Sequence, residues 1–263
     1  MVIPEKGSIL SVVKETHDAK TFRVRVPHPF RCLPGQFAEI SVFGFGEAPF
    51  SFSSLPSLLG ADGEFEITVK KVGSVSSALH HLGVGGAVGV RGPFGKGYPL
   101  DEFEGKELVI VGGGIGLAPL KPLIEIFMKK LPVKLFYGAR TPDDIVFGRE
   151  MERWAGAGVK CNVTVDKGGS GWKGAVGVVT RLIDDSSFDP ANSVVAICGP
   201  PVMIRFSILS LQKKGFSDSK IWVSLERKMQ CGMGKCGHCA VSGRYVCMDG
   251  PVFRFDEAKQ LID

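Results

Sequence analysis

Apolar and polar residues alternate over residues 8–14, 21–26, 39–42 and 64–72, the period of a strand with one face in a core and the other in water. Pro27-His28-Pro29, Pro34-Gly35 and Ala61-Asp62-Gly63 separate these runs with turn-forming residues. Short strands at this spacing predict a small antiparallel barrel over residues 1–100. One helical piece interrupts it: Ser74 or Ser76 caps a segment carrying Ala78, Leu79 and Leu82, which Gly83 ends.

The pattern changes near residue 100. Apolar runs at 107–111, 133–137, 159–165, 194–198 and 221–223 alternate with helical spacing at 117–130, 149–155, 176–183 and 202–213. That alternation predicts βαβ units and a mostly parallel sheet, an α/β domain over residues 101–225. Residues 226–263 form a third region, rich in Cys and Gly at its start, with too few apolar residues for a core of its own.

Composition narrows the class. Hydrophobic residues make up 44% and charged residues 22%, which suits a globular protein and argues against disorder. Lys plus Arg number 32 against 27 Asp plus Glu, a net charge of +5 with no block of like charges; a nucleic-acid-binding arm is not expected. The most apolar stretch, 108–128, is broken by Gly112, Gly113, Gly114, Gly116, Pro119, Lys121, Pro122 and Glu125, so no membrane span is expected. The start, Met1-Val2-Ile3-Pro4-Glu5-Lys6, lacks the apolar core of a signal peptide. A cytoplasmic protein is the expectation.

Four of the seven cysteines fall together as Cys231-x4-Cys236-x2-Cys239-x7-Cys247, with Gly232, Gly234 and Gly237 among the first three. A tight cluster in a cytosolic chain points to metal rather than to disulfides. Cys-x4-Cys-x2-Cys with a later Cys is the plant-type spacing for a 2Fe–2S cluster, and the glycines permit the positive φ angles of a loop wrapped around it. Structural zinc is the competing reading, but it favours two Cys-x2-Cys knuckles and the spacing offers one. His238 lies between two of these ligands and is a candidate for tuning them. Cys32 and Cys161 read as packing residues, as do His80 and His81 in the barrel helix.

Val109-Ile110-Val111-Gly112-Gly113-Gly114-Ile115-Gly116 runs from strand through glycine-rich turn to helix, a junction whose N–H groups suit a pyrophosphate. Tyr137-Gly138-Ala139-Arg140 and Cys198-Gly199-Pro200-Pro201-Val202-Met203 end two other strands, and open parallel sheets bind ligands at such ends.

In the barrel stand Ala48-Pro49-Phe50-Ser51-Phe52-Ser53-Ser54, then Val69-Lys70-Lys71-Val72-Gly73-Ser74-Val75-Ser76 and Arg91-Gly92-Pro93-Phe94-Gly95. With the two strand-end motifs and the terminal cysteines, this closely resembles the ferredoxin–NADP reductase superfamily. The narrower resemblance is to its branch with a C-terminal 2Fe–2S module. That branch includes the gamma subunit of cytosolic nickel–iron (sulf)hydrogenases, the corresponding subunit of anaerobic sulfite reductase and the electron-transfer subunit of dihydroorotate dehydrogenase. The resemblance implies FAD in an antiparallel Greek-key β-barrel, NAD(P)H on a parallel-sheet domain, and hydride transfer between the two.

It further implies site residues. Ser51 would lie beside the reactive flavin nitrogen and Phe50 would stack on the ring. Pro49, Val69, Lys70, Gly73, Val75 and Ser76 would complete the flavin site, with the start of the helix at Gly73 supplying N–H and hydroxyl donors to the pyrophosphate. Ala48 stands where the family places an arginine on the flavin phosphates. Gly113, Gly114, Ile115, Gly116, Pro119, Arg140, Gly199, Pro200 and Met203 would bind the nicotinamide dinucleotide, with Cys198 and Glu226 at its reactive ring. The implied partner is the catalytic redox subunit of a hydrogenase, sulfite reductase or similar complex, or a ferredoxin. The alternatives are the dihydroorotate dehydrogenase electron-transfer subunit, a stand-alone NAD(P)H:ferredoxin reductase, and a flavin-binding module without turnover.

Overall fold

The computed structural model describes residues 3–261. It divides into two compact units, residues 1–97 with 226–252, and 98–225 with 253–263. The cysteine segment therefore belongs to the same unit as the N-terminal strands.

In the first unit, β1 (Glu5–Lys14), β2 (Ala19–Arg25), β3 (Phe37–Val42), β4 (Gly46–Ser54), β5 (Glu64–Lys70) and β6 (Ala87–Phe94) close a barrel in the order β1-β2-β5-β4-β3-β6, with α1 (Pro56–Leu59) and α2 (Ser74–His81) between strands. All its pairings are antiparallel. The strand alternation read from the sequence is the inside–outside alternation of this barrel. Phe22, Phe52 and Phe65 are fully buried; Phe52 meets Phe65 edge-on at 5.2 Å, and Phe30 lies 5.0 Å from Phe65. Each such ring contributes about 1.5–3 kcal/mol by leaving water.

In the second unit, β7 (Glu107–Gly113), β8 (Val133–Ala139), β9 (Lys160–Val165), β10 (Ala175–Val176), β11 (Ser193–Cys198) and β12 (Ile221–Ser224) alternate with α3 (Leu100–Phe103), α4 (Lys121–Phe127), α5 (Gly148–Gly156), α6 (Val179–Asp184) and α7 (Pro201–Lys213). The cysteine segment adds β13 (Ala240–Val241), β14 (Arg244–Tyr245) and α8 (Val246–Asp249), before β15 (Val252–Arg254) and α9 (Phe255–Ala258). The large sheet has the order β10-β9-β8-β7-β11-β12-β15, and β7 to β12 pair in parallel. Leu108–Val111 and Val194–Ile197 are buried throughout, as strands covered on both faces must be.

Two elements differ from expectation. The helical spacing at 117–130 becomes a 3₁₀ turn, Gly114–Leu117, followed by the short α4. Pro119 and Pro122 lack the N–H groups that a continuous helix needs; Ala118 and Leu120 instead bond to the carbonyls of Ile115 and Leu117. The predicted helix start at 176 moves to Val179, because Ala175–Val176 pairs as a strand with Thr164–Val165. Among the described residues, no helix is long and apolar enough to cross a membrane.

Candidate functional site

On the barrel, Glu47 to Ser51 are half-buried, whereas Phe52, Ser53 and Ser54 are buried. Ser51 pairs with Phe37 across the ladder, Phe50 with Ala38, and Pro49 with Glu39. Val69 is buried and its carbonyl accepts a hydrogen bond from His80 Nε2 at 2.8 Å. Lys70 Nζ lies 3.4 Å from Asp18. At the start of α2, the first helical bond runs from Ser77 N–H to the Gly73 carbonyl, leaving the amides of Ser74, Val75 and Ser76 ahead of it. A Cβ at Gly73 would meet nothing within 4 Å. Open space at Gly73, ahead of the first amides of a helix, fits the pyrophosphate of a dinucleotide flavin. The hydroxyl of Ser76 is committed to this helix start: it accepts from the amides of Val72 and Gly73, both at 2.9 Å, and donates to the Gly73 carbonyl. His80 also rests against Phe22, with burial lowering its pKa, and His81 bonds to the Ser77 carbonyl.

On the sheet, the strand-end motifs meet because β7 and β11 are neighbours, Gly112 opposite Cys198. A Cβ on Gly116 would stand 2.6 Å from the Cys198 carbonyl oxygen, and one on Gly113 would stand 2.3 Å from Met203 Sδ and 2.9 Å from Pro200. A Cβ on Gly199 would reach Met203 at 2.6 Å and Gly113 Cα at 3.1 Å. These glycines bring the two loops into backbone contact, the close approach that a dinucleotide phosphate loop needs. Gly114, with φ 53, opens the turn, Ile115 is half-buried in it, and Pro119 follows it, buried.

Cys198 is 1% exposed at the end of its strand. Tyr98, which no sequence motif marks, is buried close enough that burial and the Cys198 thiol together raise its phenol pKa well above the ordinary value, and its hydroxyl has no hydrogen-bond partner. At the end of β8, Arg140 donates to Asp144 Oδ1 at 2.9 Å, while Asp144 Oδ2 accepts from the amide and hydroxyl of Thr141. Glu226 is exposed, yet protein packed around its carboxyl raises its pKa.

In the cysteine segment, Cys239 Sγ lies 3.2 Å from Cys247 Sγ, and the Cys231 thiol is a neighbour that helps lower the pKa of Cys236; all four are free of disulfides. Gly232, Gly234 and Gly237 have φ of 71, 71 and 77. Their turns aim backbone amides at sulfur: Met233 and Lys235 at Cys231 (3.5 and 3.3 Å), and Gly234 at Cys247 (3.2 Å). The amide of His238 points to Cys236 and lowers its pKa. His238 thus acts on the sulfur through its backbone. Glycine-built concavities of N–H groups hold anions, iron–sulfur clusters among them. Cys236 and Lys235 are exposed, while Cys239 and Cys247 are buried. Elsewhere, burial pushes Cys32 up to about 12, and Cys161 bonds to the Met151 carbonyl, in keeping with packing roles.

The segment lies on the barrel's outer face. Ala38, Ile40 and Val42 point inward, so Glu39 points outward, yet it is fully buried and neither carboxylate oxygen has a hydrogen-bond partner. Burial raises its pKa to about 7, the Glu47 carboxylate adds to the rise, Arg91 opposes it and Cys231 adds slightly. Folded Glu39 thus keeps a proton that the unfolded chain has lost above about pH 4.5. Stability therefore falls as pH rises from there through about 7, by about 3 kcal/mol in total. Urea titrations across that range should show this slope, and Glu39→Gln should flatten it; an equal slope in the variant refutes the assignment.

Comparison with known proteins follows this division. Residues 6–98 match the oxidoreductase FAD-binding domain, 110–208 the oxidoreductase NAD-binding domain, and 226–259 the iron–sulfur cluster binding domain of dihydroorotate dehydrogenase B. Sulfhydrogenase 2 subunit gamma of Pyrococcus furiosus is 35% identical over 95% of this chain and 94% of its own. The probable dihydroorotate dehydrogenase B electron-transfer subunit of Methanothermobacter thermautotrophicus is 33% identical over 99% and 92%. A chain of the NADH-dependent reduced ferredoxin–NADP oxidoreductase, described for flavin-based electron bifurcation, superposes with a TM-score of 0.77 at 30% identity over 99% and 93%. These likenesses run over nearly the whole chain, and it belongs to the branch of the ferredoxin–NADP reductase superfamily that carries a C-terminal iron–sulfur domain.

Proposed function

We propose that the chain is the electron-transfer subunit of a larger redox complex of hydrogenase or sulfite-reductase type, taking electrons from a nicotinamide through FAD to one 2Fe–2S cluster on Cys231, Cys236, Cys239 and Cys247. The observation that carries it is the cysteine loop itself, with Cys239 Sγ 3.2 Å from Cys247 Sγ and backbone amides of Met233, Gly234 and Lys235 turned on the sulfurs of Cys231 and Cys247, a setting suited to an anionic cluster held by four thiolates. When bound, the flavin accepts a hydride and the cluster accepts single electrons. Ser51 and Phe50 orient the flavin ring, the amides of Ser74 to Ser76 bind its pyrophosphate, and the loops at Gly113–Gly116 and Cys198–Met203 bind the nicotinamide dinucleotide. Cys198 and Glu226 are the residues assigned to its reactive ring. Exposed Cys236 and Lys235 mark the side on which a partner docks. Seven free cysteines accord with a cytoplasmic setting.

Anaerobically purified protein should hold about two iron and two sulfide per chain, release FAD on acid extraction, and bleach on addition of nicotinamide. Zinc without sulfide, or FMN alone, overturns the proposal. The match of residues 226–259 to the dihydroorotate dehydrogenase B domain favours a second reading, in which the partner is an FMN-containing dihydroorotate dehydrogenase chain; co-purification with such a chain would establish it.

The Asp144 pair favours NADH. Arg140 is already engaged there, and Asp143 adds a second carboxylate where a 2′-phosphate would sit. Asp144→Asn keeps a hydrogen-bonding side chain for Thr141 but frees the guanidinium. The ratio of kcat/KM for NADPH over NADH should rise about fivefold, the equivalent of about 1 kcal/mol near a surface. An unchanged ratio removes the argument.

A further inference from the structure

We propose that Arg91 is a positioning residue for the cluster, a barrel side chain that fixes the backbone of the first ligand, Cys231, and supplies the cation beside it. The inference rests on the reading that the four cysteines carry an iron–sulfur cluster.

Arg91 lies on the outer face of β6 and is 9% exposed. Its Nη1 donates to the Cys231 carbonyl at 3.0 Å and its Nη2 reaches the Gln230 carbonyl at 3.4 Å. Nε donates to both oxygens of Glu47 on β4, at 2.8 and 3.2 Å, and Nη2 bonds Glu47 as well. One guanidinium thus joins the strand of the flavin segment to the cluster loop. Its planar fork is suited to this, since an ammonium cannot direct donors to opposite sides at once.

Phe94, three residues along β6, completes the seat. Its ring centroid lies 5.5 Å from the guanidinium carbon. It also lies under Gly232, where a Cβ would come within 2.7 Å of the ring. The chain on either side of Cys231 is therefore laid on β6, its carbonyls on Arg91 and its glycine on Phe94.

Charge gives Arg91 a second effect. Glu39 stands opposite it in the β3–β6 ladder, and Glu47 is its ion-pair partner. With Arg91 removed, the Glu47 carboxylate remains near Cys231 without a cation, while Glu39 keeps its proton. A cluster on four thiolates is anionic, and reduction makes it more so; uncompensated negative charge disfavours the reduced form and lowers the potential.

The test uses the full chain loaded with FAD and cluster, as wild type, Arg91→Gln and Arg91→Lys. Three quantities are read: iron release to a ferrous chelator, the cluster midpoint potential by EPR-monitored titration, and flavin content with its rate of reduction by NADH. In Arg91→Gln, iron release should rise roughly tenfold to hundredfold, the loss expected for a charge-assisted hydrogen bond, and the midpoint should move to more negative values. Flavin content and reduction should stay within about twofold of wild type. Arg91→Lys restores the charge without the fork, so its midpoint should return toward wild type while iron release stays fast.

Unchanged iron release and midpoint in Arg91→Gln overturn the proposal. So does a parallel fall in flavin content and reduction, which would make Arg91 a support of the barrel. If Arg91→Gln does not fold, wild-type iron release in Arg91→Lys overturns it. Wild-type protein lacking iron and sulfide removes the cluster reading itself, before any variant is compared.

Discussion

A Cys239→Ser variant is expected to lose its iron and sulfide while its flavin is still reduced by the nicotinamide at the wild-type rate. Cys239 is 2% exposed, 3.2 Å from Cys247, and followed by the β13–β14 hairpin. The other three cysteines stand outside its loop, Cys32 between β2 and β3, Cys161 on β9 and Cys198 on β11. A serine hydroxyl is a harder, more basic donor than a thiol and does not present the soft anion that iron–sulfur chemistry selects. Loss of a direct ligand should cost cluster-dependent electron delivery more than the roughly 10–100-fold that an outer-shell group costs. Iron and sulfide analysis, with separate rates for flavin reduction and for reduction of a one-electron protein acceptor, checks this. The control variants Cys32→Ser and Cys161→Ser should keep full cluster content. Full iron in Cys239→Ser would show that the four-cysteine assignment is mistaken.

The second large effect is expected at Gly116. A Cβ there meets only backbone, the Cys198 oxygen at 2.6 Å, the Cys198 carbon at 2.7 Å and Gly199 Cα at 2.7 Å, so no side-chain rotation relieves it. Gly116→Ala must separate the phosphate loop from the end of β11, at about 1–3 kcal/mol. The melting temperature should fall by roughly 2–4 °C per kcal/mol. KM for the nicotinamide should rise at least about tenfold, because the two loops proposed to bind it are displaced together, with flavin and cluster content unchanged. Gly237→Ala is the contrast: its Cβ would enter open space, and the cost is the positive φ of 77 alone, about 1–2 kcal/mol. Wild-type KM in Gly116→Ala would show that the contact of the two loops does not shape the nicotinamide site.

What the sequence makes legible is local. The cysteine spacing reports a loop whose residues are near neighbours, and the glycines between them take the positive φ angles that such a loop needs. The βαβ series is legible for the same reason, since each buried strand is a continuous apolar run. β4 and β6 escape the strand pattern: β4 contains Pro49, and β6 passes through Gly92-Pro93, residues that weaken a strand reading. The long helix expected after Ile115 is shortened by Pro119 and Pro122. Least legible is the Glu39–Arg91–Glu47 group. Arg91 and Cys231 are 140 positions apart, and an outward-facing charge on a barrel strand ordinarily faces water. The single sequence trace is Glu39 itself, a carboxylate between Ala38 and Ile40, whose outward face gives no sign of its cover.

That cover comes from the far end of the chain. The path passes from the first unit to the second at residue 98, back at 226, and again to the second at 253. The barrel strands leave the ribosome well before the segment that shields Glu39 and receives Arg91. Until residue 231 is made, the segment that buries these charges does not exist. All six barrel strands are thus synthesised before the four cysteines of this segment, whose loop is laid on strands that precede it in the chain by more than a hundred residues.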